Sequence, residues 1–140
     1  MEVYSEEVQI TTGSSINLVN ITEKVQAVAK KSGISAGACF VYSMHTTSAV
    51  IVNENESGLL KDIVTKLTHD FPKNVGWEHD RHDNNAHAHL AATYVGISKV
   101  LPVEDGKIKL GTWQSVFLLE LDGPRNRSVI IQVMGAGESD

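Results

Sequence analysis

The stretch that decides the fold class is residues 98–134, SKVLPVEDGKIKLGTWQSVFLLELDGPRNRSVIIQVM. It reads as consecutive strands at 98–103, 107–110, 113–121 and 127–134, rich in Val, Ile, Leu and Phe. Glu104-Asp105-Gly106-Lys107 and Asp122-Gly123-Pro124-Arg125 separate them with residue types suited to tight turns. Upstream, residues 3–12 have strand composition, and Gly13-Ser14-Ser15 forms a turn. Residues 36–43 form a run apolar on both faces, as in a buried strand, with 49–53 as its partner across His45-Thr46-Thr47-Ser48.

Helices are fewer. Asn20-Ile21-Thr22-Glu23 opens one, with Asn20 or Thr22 as cap and Ile21, Val25 and Val28 on one face, and Gly33 ends it. A second runs from Ser57 to Asp70 on an apolar stripe of Leu59, Leu60, Ile63, Val64 and Leu67, stopped before Pro72. A short third spans 86–95 and closes at Gly96. Most strand neighbours can pair as antiparallel hairpins. The class is α+β: one compact domain over 1–140, mainly antiparallel or mixed sheet, with two to three helices.

Composition narrows the function. The 140 residues carry 41% apolar and 21% charged side chains, which suits a folded soluble chain with a real core. A formal charge of -5 argues against a broad nucleic-acid grip or a polybasic membrane anchor. The acidic start, Met1 to Glu7, is no signal peptide, and no apolar stretch reaches the ~20 residues of a membrane span. The expected location is the cytoplasm. The single cysteine, Cys39, excludes an intramolecular disulfide and reads as a small buried hydrophobe.

Chemistry concentrates in five places. Four of the six histidines lie within residues 79–89, interleaved with Asp80, Asp83, Asn84 and Asn85. For His79 and His82 a solvated polar loop, followed by Asn85 as helix cap, is the simpler reading. His87 and His89 have no packing reason to crowd a helix start, and imidazole is both metal ligand and neutral-pH acid–base group. They converge only if His87 precedes the first regular turn. Ser43-Met44-His45-Thr46-Thr47-Ser48 is either a hydroxyl-rich turn or a cradle for a phosphate or carboxylate oxygen. Asn53-Glu54-Asn55-Glu56-Ser57 sets carboxylates at a helix start, where Glu56 suits the dipole and Glu54 is open between that and a metal. Trp113 and Gln114 offer core packing, or an aromatic wall with an amide group. Arg125 and Arg127, on their turn, suit bidentate phosphate contact or simple solvation.

Together these motifs resemble the YjbQ family. The matching residues are Ser43-x-His45-Thr46-Thr47-Ser48-Ala49, Asn85-Ala86-His87-Ala88-His89-Leu90 and Gly111-Thr112-Trp113-Gln114. Ser98, Leu101, Val103, Gly106, Val116 and Gly123-Pro124-Arg125-x-Arg127 fit as well. The resemblance implies an α+β homotrimer with histidines gathered near a subunit boundary. It also implies secondary thiamine-phosphate synthase activity, joining an aminopyrimidine-methyl diphosphate to a thiazole phosphate. The expected catalytic residues are His45, His87 and His89, which would also ligate a divalent metal (zinc or magnesium). Thr46, Thr47, Ser48, Trp113, Gln114, Arg125 and Arg127 are the expected phosphate or ligand contacts. The alternative is a non-catalytic trimeric module holding a metal or small anion.

Overall fold

The computed structural model describes residues 1–137. In chain order the elements are β1 (Glu2–Thr11), β2 (Asn17–Asn20), α1 (Thr22–Ser32), β3 (Ile34–Ser43), β4 (Ser48–Glu54) and α2 (Ser57–Asp70). A 3-10 turn at Glu78–Arg81 precedes α3 (Ala86–Val95), β5 (Ser98–Glu104), β6 (Lys107–Ile108), β7 (Gln114–Glu120) and β8 (Asn126–Gly137). All pairings are antiparallel. One sheet has the order β1-β8-β3-β5-β6, the other β2-β7-β4. The α+β class and the three helices stand as expected.

The sheets face each other across a core of Cys39, Val41, Val50, Leu101, Val116, Leu118, Val129, Ile131 and Val133. Helix α1 closes that core with Ile21, Val25, Val28 and Ala29. Its Gln26 side chain also pairs with both backbone groups of Ile108, giving and accepting at 3.1 and 3.0 Å, which covers the open edge of β6. Gly33, at φ 70°, supplies the left-handed residue that ends α1. Asn20 serves the helix from one position outside the cap, accepting from Thr22 N at 3.0 Å, while Thr22 Oγ1 accepts from Val116 N at 2.8 Å. Helices α2 and α3 cover the other side of the small sheet, against Ala49, Leu119 and Leu121.

Local hairpin logic misplaces two connections. Strand β4 pairs with β7 rather than with β3, because β8 and β5 already occupy both edges of β3. Likewise 121–125 is no hairpin turn, since β7 and β8 belong to different sheets. Among the described strands only β5 and β6 form a hairpin of sequence neighbours, turning at Asp105 (φ 54°) and Gly106 (φ 76°). Strand β3 is not buried on both faces either. Cys39 and Val41 point into the core, while Phe40 is half-buried and Tyr42 exposed on the outer face. Register puts Val3, Val100, Ile130 and Met134 on that same outer face, making it broadly apolar.

Candidate functional site

Two cross-sheet connections meet at one end of the molecule, and a buried ion pair ties them together. Glu120, at the end of β7, is 0% exposed, and Arg127, near the start of β8, is 2% exposed. Arg127 Nε donates to Glu120 Oε1 at 2.8 Å, and Nη2 makes a closer contact with Oε2. Nη2 also reaches Thr47, its carbonyl at 3.1 Å and its hydroxyl at 2.8 Å. The carboxylate is completed by Thr12 Oγ1 (2.7 Å) and by Asp122 N (2.9 Å). Burial alone would raise the Glu120 pKa, but these donors, led by Arg127, outweigh it and hold the group below its usual value. Leu121 N donates to the Thr47 carbonyl at 3.2 Å, and the Ser43 and Ser48 hydroxyls meet at 2.5 Å.

His45 hangs from this framework. Its Nε2 accepts the Ser128 backbone N–H at 2.8 Å, which fixes the ring against β8. A neutral imidazole has one lone pair, and here Ser128 takes it, so the proton resides on Nδ1. Burial and then the Arg127 charge lower the His45 pKa below 6.5; Glu120 opposes this and Arg125 adds to it. The ring lines a cleft of about 390 Å³ with Thr46, His89, Ala92, Thr93, Gly96 and Ile97. Thr46 is exposed there, whereas the Thr47 and Ser48 hydroxyls are spent internally.

Helix α3 carries the other two expected histidines, and they part company. His87 lies inside the regular helix, two residues from His89, so the rings point ~160° apart around the axis. His89 faces the cleft. His87 is 7% exposed and its pKa is lowered, first by burial and then by Lys73, with Asp122 and Asp80 opposing. The His89 pKa is lowered by burial and by His79, against Asp122 and Asp83. The helix start is capped by Asp80, whose Oδ1 accepts Ala86 N at 3.0 Å, rather than by the Asn85 side chain.

Asn85 has another task. Its Nδ2 donates to Asp122 Oδ2 at 2.8 Å, and Arg125 Nη2 donates to the same oxygen at 2.9 Å. His79 Nε2 lies 3.1 Å from Asn85 Oδ1, and the His79 ring stands edge-on to His89 with centroids 4.5 Å apart. Arg125, Asp122, Asn85, His79 and His89 thus form one continuous chain. Sequence reasoning missed Glu120, Asp122 and His79 as members of this region. Glu120 was legible in principle, since a lone carboxylate inside Phe117-Leu118-Leu119-Glu120-Leu121 needs a buried cation.

Trp113 and Gln114 lie elsewhere. The indole is 73% exposed, so it is not a core residue. The turn before β7 is closed by Gly111 N to Gln114 Oε1 (2.8 Å) and Gln114 N to Gly111 O (3.1 Å). That end of β7 is six residues from Glu120, roughly 20 Å away at strand rise. Glu54 pairs with Gln114 across the sheet, and Glu56 caps α2 by accepting Gly58 N (2.6 Å) and Leu59 N (2.9 Å). Cys39 is fully buried, and burial pushes its thiol pKa up to about 11.

A divalent ion does not fit His45, His87 and His89 within one chain. The His45 lone pair is taken, the α3 pair diverges, and among the described residues no three His, Cys, Asp or Glu side chains converge as ligands. Glu120 has both oxygens committed as well.

Comparison with known proteins gives a consistent result. A family model described as UPF0047 protein YjbQ-like matches residues 6–136. A UPF0047 protein of Methanothermobacter thermautotrophicus is 46% identical over 96% of this chain and 94% of its own. YugU of Bacillus subtilis, also a UPF0047 protein, is 38% identical over 91% of this chain and 96% of its own. The crystal structure of a YbjQ-like protein of unknown function from Sulfolobus solfataricus superposes with TM-score 0.94 at 42% identity, covering 96% of this chain and 98% of that one. Within the described residues no helix is long and apolar enough to cross a membrane. The chain belongs to the YjbQ-like UPF0047 family.

Proposed function

We propose that the protein is a cytoplasmic enzyme of phosphate-ester or diphosphate chemistry, acting on a phosphorylated small molecule in the cleft between His45 and His89. The observation that carries this reading is the Ser128 N–H on His45 Nε2. It makes His45 a fixed Nδ1–H donor, suited to an anionic oxygen, beside the Thr46 hydroxyl and near the Arg125 and Arg127 charges. His89, kept neutral by burial, supplies the group that accepts or returns a proton.

The reaction to assay is thiamine-phosphate synthesis, as a main or secondary activity. The thiazole nitrogen forms a C–N bond to the aminopyrimidine methylene while the C–O bond to diphosphate breaks with its electron pair. Charge then builds on the leaving diphosphate. His45 Nδ1–H and Thr46 are the donors proposed to offset it, with the Arg125 charge nearby. Arg127 contributes charge from within its ion pair, and no step runs through a metal.

Assembly as a homotrimer belongs to the same proposal. The apolar outer face of β1, β8, β3 and β5 is the kind of surface that another subunit buries. Trp113 and Gln114 are then supplied to a neighbour's cleft, since ~20 Å separates them from their own. Turnover by the purified protein, measured with both substrates and compared with His45→Ala at equal concentration, tests the enzyme reading. Tight phosphate binding without turnover would leave the non-catalytic anion-binding module. Binding that depends on added zinc or magnesium would restore a metal shared between subunits.

A further inference from the structure

His89 separates two clefts, and the second has a different chemistry from the first. It measures about 310 Å³ and is walled by Trp77, Glu78, His79, Ala86, His89 and Leu90. Three of those six side chains are aromatic rings, and they are held in place. Trp77 Nε1 donates to the Pro72 carbonyl at 2.9 Å. His79 is fixed by Asn85, itself anchored on Asp122, and stands edge-on to His89. Glu78 is the one carboxylate on the wall, and among the described residues it takes no hydrogen bond or ion pair. Lys73 and Arg81, the cations of the same loop, do not line the cleft.

That lining selects by charge. The Trp77 face carries negative potential, and Glu78 adds a full negative charge, so an anion is disfavoured. A bare metal ion would need converging ligands, which the described residues do not provide. A neutral apolar guest would gain nothing from the carboxylate charge, whereas a cation gains from both walls. We propose that this cleft binds a small organic cation of alkylammonium type, about the size of choline. The proposal is independent of the phosphate reading, because neither Trp77 nor Glu78 lines the His45 cleft. The two sites nevertheless share the His89 ring, so an occupant of one touches a wall of the other.

The chain has two tryptophans, so Trp113→Phe leaves Trp77 as the only indole emitter. Choline is titrated against its uncharged isostere, 3,3-dimethylbutan-1-ol, with calorimetry on the unmodified protein in parallel. Choline should change Trp77 emission saturably at millimolar concentration or below, and the isostere should bind roughly tenfold more weakly. Glu78→Gln, at an exposed position that tolerates substitution, should weaken choline by about the same factor, since it removes the charge and keeps the shape. Trp77→Leu should abolish the calorimetric signal while the far-ultraviolet circular dichroism is retained. Three results overturn the idea: no saturable response to choline up to about 50 mM, an isostere that binds as well as choline, or unchanged choline affinity in Glu78→Gln.

Discussion

Replacing Arg127 with Met should destabilise the fold far more than any surface arginine change would. The substitution keeps an unbranched apolar stem but removes the guanidinium from Glu120, which is 0% exposed. It also removes the donor to the Thr47 carbonyl and hydroxyl. Breaking one side of a buried ion pair strands the other charge and typically costs about 3–5 kcal/mol. Whole-domain stability is about 5–15 kcal/mol, so the loss should be plain in urea unfolding at fixed protomer concentration. Glu120→Gln should cost a similar amount, because it strands the arginine. The double variant Glu120→Gln/Arg127→Met should cost much less than the two singles added, giving a coupling of about 2–3 kcal/mol. A second readout comes from acid. The Glu120 pKa is depressed in the folded protein, so its contribution is full above its unfolded value of 4.5 and disappears as pH falls through the lower folded value. The gap between the parent protein and Arg127→Met should therefore narrow in that acid range. An Arg127→Met protein within about 1 kcal/mol of the parent, or two strictly additive singles, would refute the architectural role and return Arg127 to ligand binding.

His45→Ala should fold and assemble, yet lose ~10²–10⁴-fold in turnover, and the Ser128 N–H left without its acceptor should cost about 1–3 kcal/mol in unfolding free energy. Cys39→Ser should leave turnover nearly unchanged while urea unfolding shows a loss of about 1–3 kcal/mol, because a hydroxyl replaces a thiol at a fully buried position. His45, His87 and His89 all have pKa values lowered by burial, so the unfolded chain binds more protons below 6.5; thermal stability should fall as pH drops through that value and level off below the folded ones. Gly37→Ala should be strongly disruptive, since its methyl would sit 2.0 Å from the Met134 carbonyl oxygen and force β3 and β8 apart; circular dichroism melts would report it.

What the sequence made legible was governed by local rules. The stripe of α2, its stop before Pro72, the Gly33 and Gly96 ends and the Asp105-Gly106 turn all depend on residues within a few positions. Strand existence followed from composition for the same reason. Pairing did not, because whether β4 joins β3 or β7 depends on β8 and β5 having filled the edges of β3, which no local pattern records. The divergence of His87 and His89 depended on one boundary. Helix α3 begins at Ala86, and that single residue puts both rings into a regular turn. Trp113 eluded reading because an exposed indole and a core indole have the same sequence signature.

Polar residues gather at this end of the molecule because the chain changes sheets there. Two connections, 44–47 and 121–125, cross between sheets, so backbone pairing serves only part of them, as in Met44 N to Ser128 O and Leu121 N to Thr47 O, both at 3.2 Å. Side chains add the rest. Arg127 and Glu120 serve Thr47, Asp122 and Thr12, and the β3–β4 connection is held against β8 through both Arg127 and His45. The groups that close the fold therefore also set the position of the His45 ring. A substitution in the buried network should reach the cleft by displacing His45, whereas one at Thr46 or His89 should alter chemistry while leaving stability nearly unchanged. Comparing urea midpoints with turnover across Arg127→Lys, Thr46→Ala and His89→Gln separates those two routes. If Arg127→Lys keeps its urea midpoint but loses turnover as fully as His89→Gln, the arginine acts on the ligand itself and the division drawn between framework and cleft fails.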